Sequence, residues 1–168
     1  MQFRFNHFYK AERILYYVEA DEKMKEDFFC AKYPEKILPF IGKFGTYDYP
    51  GFFELNLPDF KGNAVGMEFR KDDERVVYPE GLKSVVLPGI YVIEATVFEA
   101  EELTACVVAK VFEEAKKEVL VAWNWNNSDL LKEARVREFF CDNGKIRIYF
   151  ECALSGKVEM LREGELEN

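Results

Sequence analysis

The sequence predicts an α+β domain built from duplicated β-α-β-β units that form one antiparallel sheet, with helices on one face and a cleft between the halves. Three observations carry that prediction. The apolar run Ile90-Tyr91-Val92-Ile93 has strand character and leads through Glu94-Ala95 into a long helical pattern. There Ala100, Leu103, Val107, Val111, Ala115 and Val119 recur at three- and four-residue steps, opposite Glu101, Glu102, Lys110, Glu113, Glu114 and Lys117. The same unit recurs 75 positions earlier (90 minus 15), where Leu15-Tyr16-Tyr17-Val18-Glu19-Ala20 aligns with Ile90 to Ala95. Finally, Val136 to Cys141 and Lys145 to Cys152 flank Asp142-Asn143-Gly144, which reads as a hairpin.

Taken in order, Phe3, Phe5 and His7 alternate with Gln2, Arg4 and Asn6, which predicts an added N-terminal strand with one buried face. The strand at Leu15 to Glu19 follows. Asp21 opens a helix carrying Met24, Phe28 and Ala31, and Pro34 bounds it. Ile37, Leu38, Phe40 and Ile41 predict a second short helix ended by Gly42 and Gly45. Phe52 to Leu57 and Asn63 to Phe69 read as strands, and Pro79-Glu80-Gly81 links the halves. In the second unit Thr96 and Glu99 are spaced as a capping box for the long helix. The chain of 168 residues is expected to form a single domain, with pseudo-repeats at about 12–69 and 87–152.

Composition narrows the function classes. A formal net charge of −8 opposes direct binding of nucleic acid, which needs clustered Lys and Arg to neutralise phosphates. It suits cationic small molecules, and it equally serves solubility. Aromatic residues make up 16% of the chain, and such an excess either lines a pocket or fills a β-rich core. Cys30, Cys106, Cys141 and Cys152 are scattered, and His7 is the one histidine, so neither a metal site nor a cofactor is expected. Reduced, buried thiols and the lack of a signal-like or membrane-spanning apolar run predict a cytoplasmic protein with no membrane partner.

None of the common catalytic motifs is present. What remains is carboxylates among aromatics: Glu54 after Phe52-Phe53, Glu138 before Phe139-Phe140, and Glu151 after Tyr149-Phe150. Each is a candidate pocket carboxylate, able to hold an organic cation or to act as a general acid or base, and each equally reads as a solvated strand residue. Trp123 and Trp125 lie two residues apart, so an extended backbone turns both rings to one side, to meet a flat ligand or to close the core.

The β-α-β-β order, the run Gly62 to Phe69, Pro79-Glu80-Gly81-Leu82, the strand Leu87 to Ile93 and the late Glu138-Phe139-Phe140 strand together resemble the GyrI-like (gyrase-inhibitor-like) small-molecule-binding family. The resemblance covers nearly the whole chain. It implies an aromatic cleft with a ligand-contacting Glu on the penultimate strand, which Glu138 matches. The family's usual Phe-Glu-x-Tyr reads Arg137-Glu138-Phe139-Phe140 here, without the tyrosine hydroxyl. The implied function is a stand-alone small-molecule-binding domain, with lipophilic cations and drug-like compounds as ligand classes, akin to the effector-binding part of multidrug-responsive regulators. The expected ligand-binding residues are Glu138, Trp123, Trp125, Phe140, Tyr16, Tyr91 and Tyr47. Two alternatives stand beside it: a hydrolase of small electrophiles with Glu138 as general acid/base, and an acidic protein-binding inhibitor of a topoisomerase.

Overall fold

The computed structural model describes residues 2–43, 46–47, 49–71, 79–98, 110–115, 117, 134–142 and 145–152. Among the described residues eight strands form one antiparallel sheet: β1 (Gln2–Lys10), β2 (Arg13–Glu19), β3 (Gly51–Asn56), β4 (Lys61–Arg70), β5 (Lys83–Leu87), β6 (Ile90–Phe98), β7 (Val136–Asp142) and β8 (Lys145–Glu151). Their order across the sheet is β1-β6-β8-β7-β3-β4-β2-β5. Helix α1 (Glu22–Phe29) is capped by Asp21, whose carboxylate accepts the Met24 N–H at 2.8 Å. Residues 110–115 and 117 are also helical.

This architecture corrects the predicted α+β class, because the protein is dominated by its sheet. Two expected helical features take another form. Thr96, expected as a helix cap, lies inside β6 between Arg4 and Arg147 on the neighbouring strands. Its β-branched side chain suits that place better than a cap, since β6 carries on as an apolar, largely buried run as far as Val97. The expected helix at 37–41 is a single 3₁₀ turn, Leu38–Phe40, with Pro39 inside it. Lys83–Leu87 supplies strand β5.

The order of strands forces the sheet to curl. Strand β1 stands at one edge and β2 six places away, yet only Ala11 and Glu12 join them. In a flat sheet six spacings amount to roughly 29 Å, whereas three residue steps reach about 11 Å. The second crossing, from Leu87 of β5 to Ile90 of β6, has the same geometry. The two ends of the sheet therefore approach one another over a concave face. Pairing registers reflect this: Lys10 opposite Ile90 and Val85 opposite Leu15 are related by one shift of 75 positions (85 minus 10, 90 minus 15).

Alternation along each strand separates two cores. On the convex face Phe28 of α1, Val111 and Ala115 pack on Ile93, Phe52, Phe139, Ile148 and Phe150. On the concave face Leu15, Phe53, Leu87, Val92, Phe140 and Tyr149 form a separate cluster. Partly exposed Phe8, Tyr47 and Phe60 lie at its margin.

Candidate functional site

Four charged side chains sit inside the concave face. Lys10 ends β1 and Arg13 begins β2, so the short crossing delivers two cations to one place. Glu68 of β4 and Glu138 of β7 meet them there. The Lys10 ammonium donates to Glu68 Oε1 at 2.8 Å and forms a second ion pair with Glu138 Oε2. The Arg13 guanidinium donates through Nε to Glu68 and through Nη2 to Glu138. Its Nη1 reaches the carbonyls of Ala11 at 3.2 Å and Pro88 at 3.4 Å, which ties it to both crossings. Each cation bridges both carboxylates, and the cluster carries no net charge. Both carboxylates are only 1% exposed, so water does little to screen the pairs.

Aromatic rings surround the lysine end of the cluster. The Lys10 Nζ lies 4.1 Å from the Tyr149 ring centroid, 5.3 Å from that of Tyr47 and 5.5 Å from that of Phe140. It also donates to the Tyr47 hydroxyl at 3.3 Å, and Tyr47 donates to the Tyr149 hydroxyl at 3.1 Å. Tyr47 stacks on Phe140 with centroids 4.2 Å apart, and Tyr149 meets Phe140 edge to face. The segment bearing Tyr47 is tethered to β4, where the Thr46 N–H donates to the Glu68 carbonyl at 2.8 Å. Gly51 makes room for the Phe140 ring, since a Cβ there would stand 2.5 Å from it. The result is an aromatic cage around an ammonium, with a carboxylate behind it.

Burial alone would discharge these groups, and the cluster reverses that for most of them. For Glu138, desolvation pushes the carboxyl upward, but Lys10 and then Arg13 outweigh it and hold the group down at about 2. Desolvation likewise disfavours charged Lys10, yet Glu138 and Glu68 raise its affinity for the proton above the ordinary lysine value. Glu68 moves the other way: burial, followed by the adjacent negative charge of Glu138, raises its carboxyl. The Tyr149 hydroxyl is also raised, by burial first and then by Tyr47 and Glu94, so it stays neutral.

The predicted site residues divide. Glu138, Phe140 and Tyr47 are brought together around Lys10. Tyr16 belongs to another cluster, with Ile37, Met67 and Phe69, and Tyr91 packs with the convex core. Strand alternation turns both away from Glu138. Trp123 and Trp125 lie outside the described residues. Of the other candidate carboxylates, Glu151 accepts from the Arg135 backbone and side chain, each at 2.9 Å, and Glu54 lies 4.0 Å from Arg137. Lys10, Arg13, Glu68 and Tyr149 were not among the expected site residues. The available signal was charge balance: a Glu placed inward at 138 needs a buried cation, and Lys10 continues the alternation of β1 on the face of Arg4 and Asn6.

No family model matches the chain, and no curated protein matches it. Solved structures similar in fold include two with TM-scores of at least 0.50. One is SAV2435 bound to tetraphenylphosphonium, at a TM-score of 0.51 and 11% identity, covering 99% of each chain. The other is the C-terminal domain of EcmrR, at a TM-score of 0.50 and 10% identity, covering 92% of this chain and all of that one. At such identities the likeness concerns the fold alone.

Proposed function

We propose that this protein is a small-molecule-binding domain of GyrI-like type, and that its ligand is an aromatic compound received on the concave face of the sheet. The observation that carries this reading is the group of Tyr47, Phe140 and Tyr149 around a single ion, beside partly buried Phe8 and Phe60. Tyr47, Phe8 and Phe60 at the margin of the concave sheet offer flat apolar surface for stacking beside a few oriented polar groups, the usual make-up of a ligand site. The fold shared with a protein solved with tetraphenylphosphonium supports the small-molecule reading.

Binding is favoured over turnover by the state of Glu138. A carboxylate held near 2 by two cations is a weak base at neutral pH, and both of its oxygens are already engaged. The test uses Nile red, a neutral aromatic dye whose emission rises in apolar surroundings. Saturable binding by the wild-type protein is expected, weakened about tenfold by Tyr47→Ala, the size of effect expected from losing one stacked ring. Dye binding indifferent to Tyr47→Ala would remove this face as the ligand site.

A further inference from the structure

We propose that Lys10 is a specificity-determining residue of this site: its ammonium fills the place where the aromatic cage and Glu138 would otherwise hold a cationic ligand, so the native protein takes neutral aromatic molecules and excludes lipophilic cations. The inference rests on the concave face being the ligand site, as argued above. Its ground is the coordination of one atom. Lys10 Nζ has three N–H groups, and three acceptors meet it: Glu68 Oε1 at 2.8 Å, Glu138 Oε2, and the Tyr47 hydroxyl at 3.3 Å. The rings of Tyr149, Tyr47 and Phe140 present their faces to the same atom. Acidic and aromatic partners that would recognise a cation are thereby engaged within the chain.

A quaternary phosphonium or ammonium cannot replace this arrangement. It has no N–H, so expelling Lys10 would leave Glu68, Glu138 and the Tyr47 hydroxyl short of donors in a buried place. An anion fares no better, because the ammonium has no N–H left to give and the two carboxylates lie directly behind it. A neutral ring can stack on the partly exposed Tyr47, beside Phe8 and Phe60, without disturbing any of the ion pairs. Arg13 separates the effect of the cage from that of charge. It contributes the same positive charge to the same carboxylates, but the cation within reach of all three rings is Lys10.

The experiment uses three probes of known charge: tetraphenylphosphonium, tetraphenylborate, which is nearly the same size and of opposite sign, and Nile red. Titration calorimetry for the two ions, and fluorescence for the dye, would be applied to wild type, Lys10→Met and Arg13→Met, with circular dichroism to confirm folding. Lys10→Met keeps the length of the stem and empties the cage. It is expected to bind tetraphenylphosphonium at least about tenfold more tightly than wild type, the order expected of a desolvated cation–π site, and to gain nothing for tetraphenylborate. Arg13→Met, with the same change in charge, is expected to gain no such affinity. Should Lys10→Met fail to fold, Lys10→Met combined with Glu68→Gln keeps the cluster neutral while emptying the cage, and the same gain for the phosphonium is expected. Equal phosphonium affinity in wild type and the lysine variants, or an equal gain in Arg13→Met, would overturn the inference while Tyr47-dependent dye binding left the ligand site standing. Dye binding that ignores Tyr47 would overturn both.

Discussion

Lys10 and Glu138 are 128 positions apart in the chain and form a buried ion pair under the rings of Tyr47, Phe140 and Tyr149. The contact exists because the sheet curls. Lys10 lies at the end of an edge strand and Glu138 near the centre of the sheet, with β6 and β8 between them. Closing the concave face thus fixes where the charges meet, and the charges in turn tie the two ends of the sheet together.

That mutual dependence makes Glu138 a structural residue as well as a site residue. Glu138→Gln leaves Lys10 and Arg13 sharing the single charge of Glu68 in a buried place. A loss of about 3–5 kcal/mol is expected, the range for breaking a buried ion pair from one side. Urea denaturation of wild type and variant measures it. A variant as stable as wild type would mean that the cluster is loosely held.

Acid stability follows from the opposite displacements of the two carboxyls. Glu138 is lowered to about 2, so its contribution is complete above the ordinary carboxylate range and lost as the pH falls toward 2. Taken alone, that shift corresponds to about 3 kcal/mol. Glu68 is raised, so its protonation favours the folded state as the pH falls and offsets part of that loss. Glu68→Gln removes the offset, and relative to wild type its stability should fall as the pH drops through the interval above the ordinary carboxylate value, while below that value the two proteins should fall together. Lys10 acts at the other extreme: its contribution is complete below the ordinary lysine value and lost only at a pH above it. Urea midpoints recorded on both sides of the ordinary carboxylate value check the sign, and parallel curves above that value would contradict it.

Strands were the legible part of the fold, and the cluster was not. Strands β3, β4, β7 and β8 were readable from apolar alternation and the Asp142-Asn143-Gly144 turn. Thr96 misled because a Thr followed three residues later by Glu satisfies a local helix-start pattern, while its place in β6 is decided by pairing with Arg4 and Arg147. Glu138 was found because a charge between Val136 and Phe140 conflicts with a buried face. Its partners were missed for a physical reason: Lys10 and Arg13 approach across the curl of the sheet, and local periodicity contains no term for that. Tyr16 and Tyr91 were chosen as aromatics of the two matching segments, yet strand alternation turns both from the concave face.

The repeat remains open to direct measurement. Residues 12–69 and 87–152 are expected to superpose with Tyr16 on Tyr91, in keeping with the shift of 75 shared by the Lys10–Ile90 and Val85–Leu15 pairs. A crystal structure in which β2 and β6 could be overlaid only at another shift would refute the duplication.

Thiol reactivity distinguishes positions that composition alone treats alike. Cys30 follows α1 and is exposed, whereas Cys141 of β7 is partly buried and its thiol is pushed up to about 11 by desolvation. The thiolate is the reactive form, so iodoacetamide at neutral pH should modify Cys30 within minutes and Cys141 only as the protein unfolds. Peptide mass spectrometry of native and urea-treated samples reads both sites. Equal native labelling at the two would contradict the burial of β7.

The last prediction concerns the floor of the cage. A Cβ added at Gly51 would stand 2.5 Å from the Phe140 ring, too close for any real contact. Gly51→Ala must therefore displace Phe140, and with it the stacking of Tyr47 and one wall around Lys10. A loss of about 1–3 kcal/mol is expected, as for overpacking of a filled core, together with weaker Nile red binding. Gly66 is a sharper case, because a Cβ there would meet the backbone oxygen of Tyr16 at 2.2 Å. A side chain can turn aside and a paired strand cannot, so Gly66→Ala should cost more stability than Gly51→Ala. Thermal unfolding and dye titration of both variants measure the two effects, and unchanged dye affinity in Gly51→Ala would detach Gly51 and Phe140 from the ligand site.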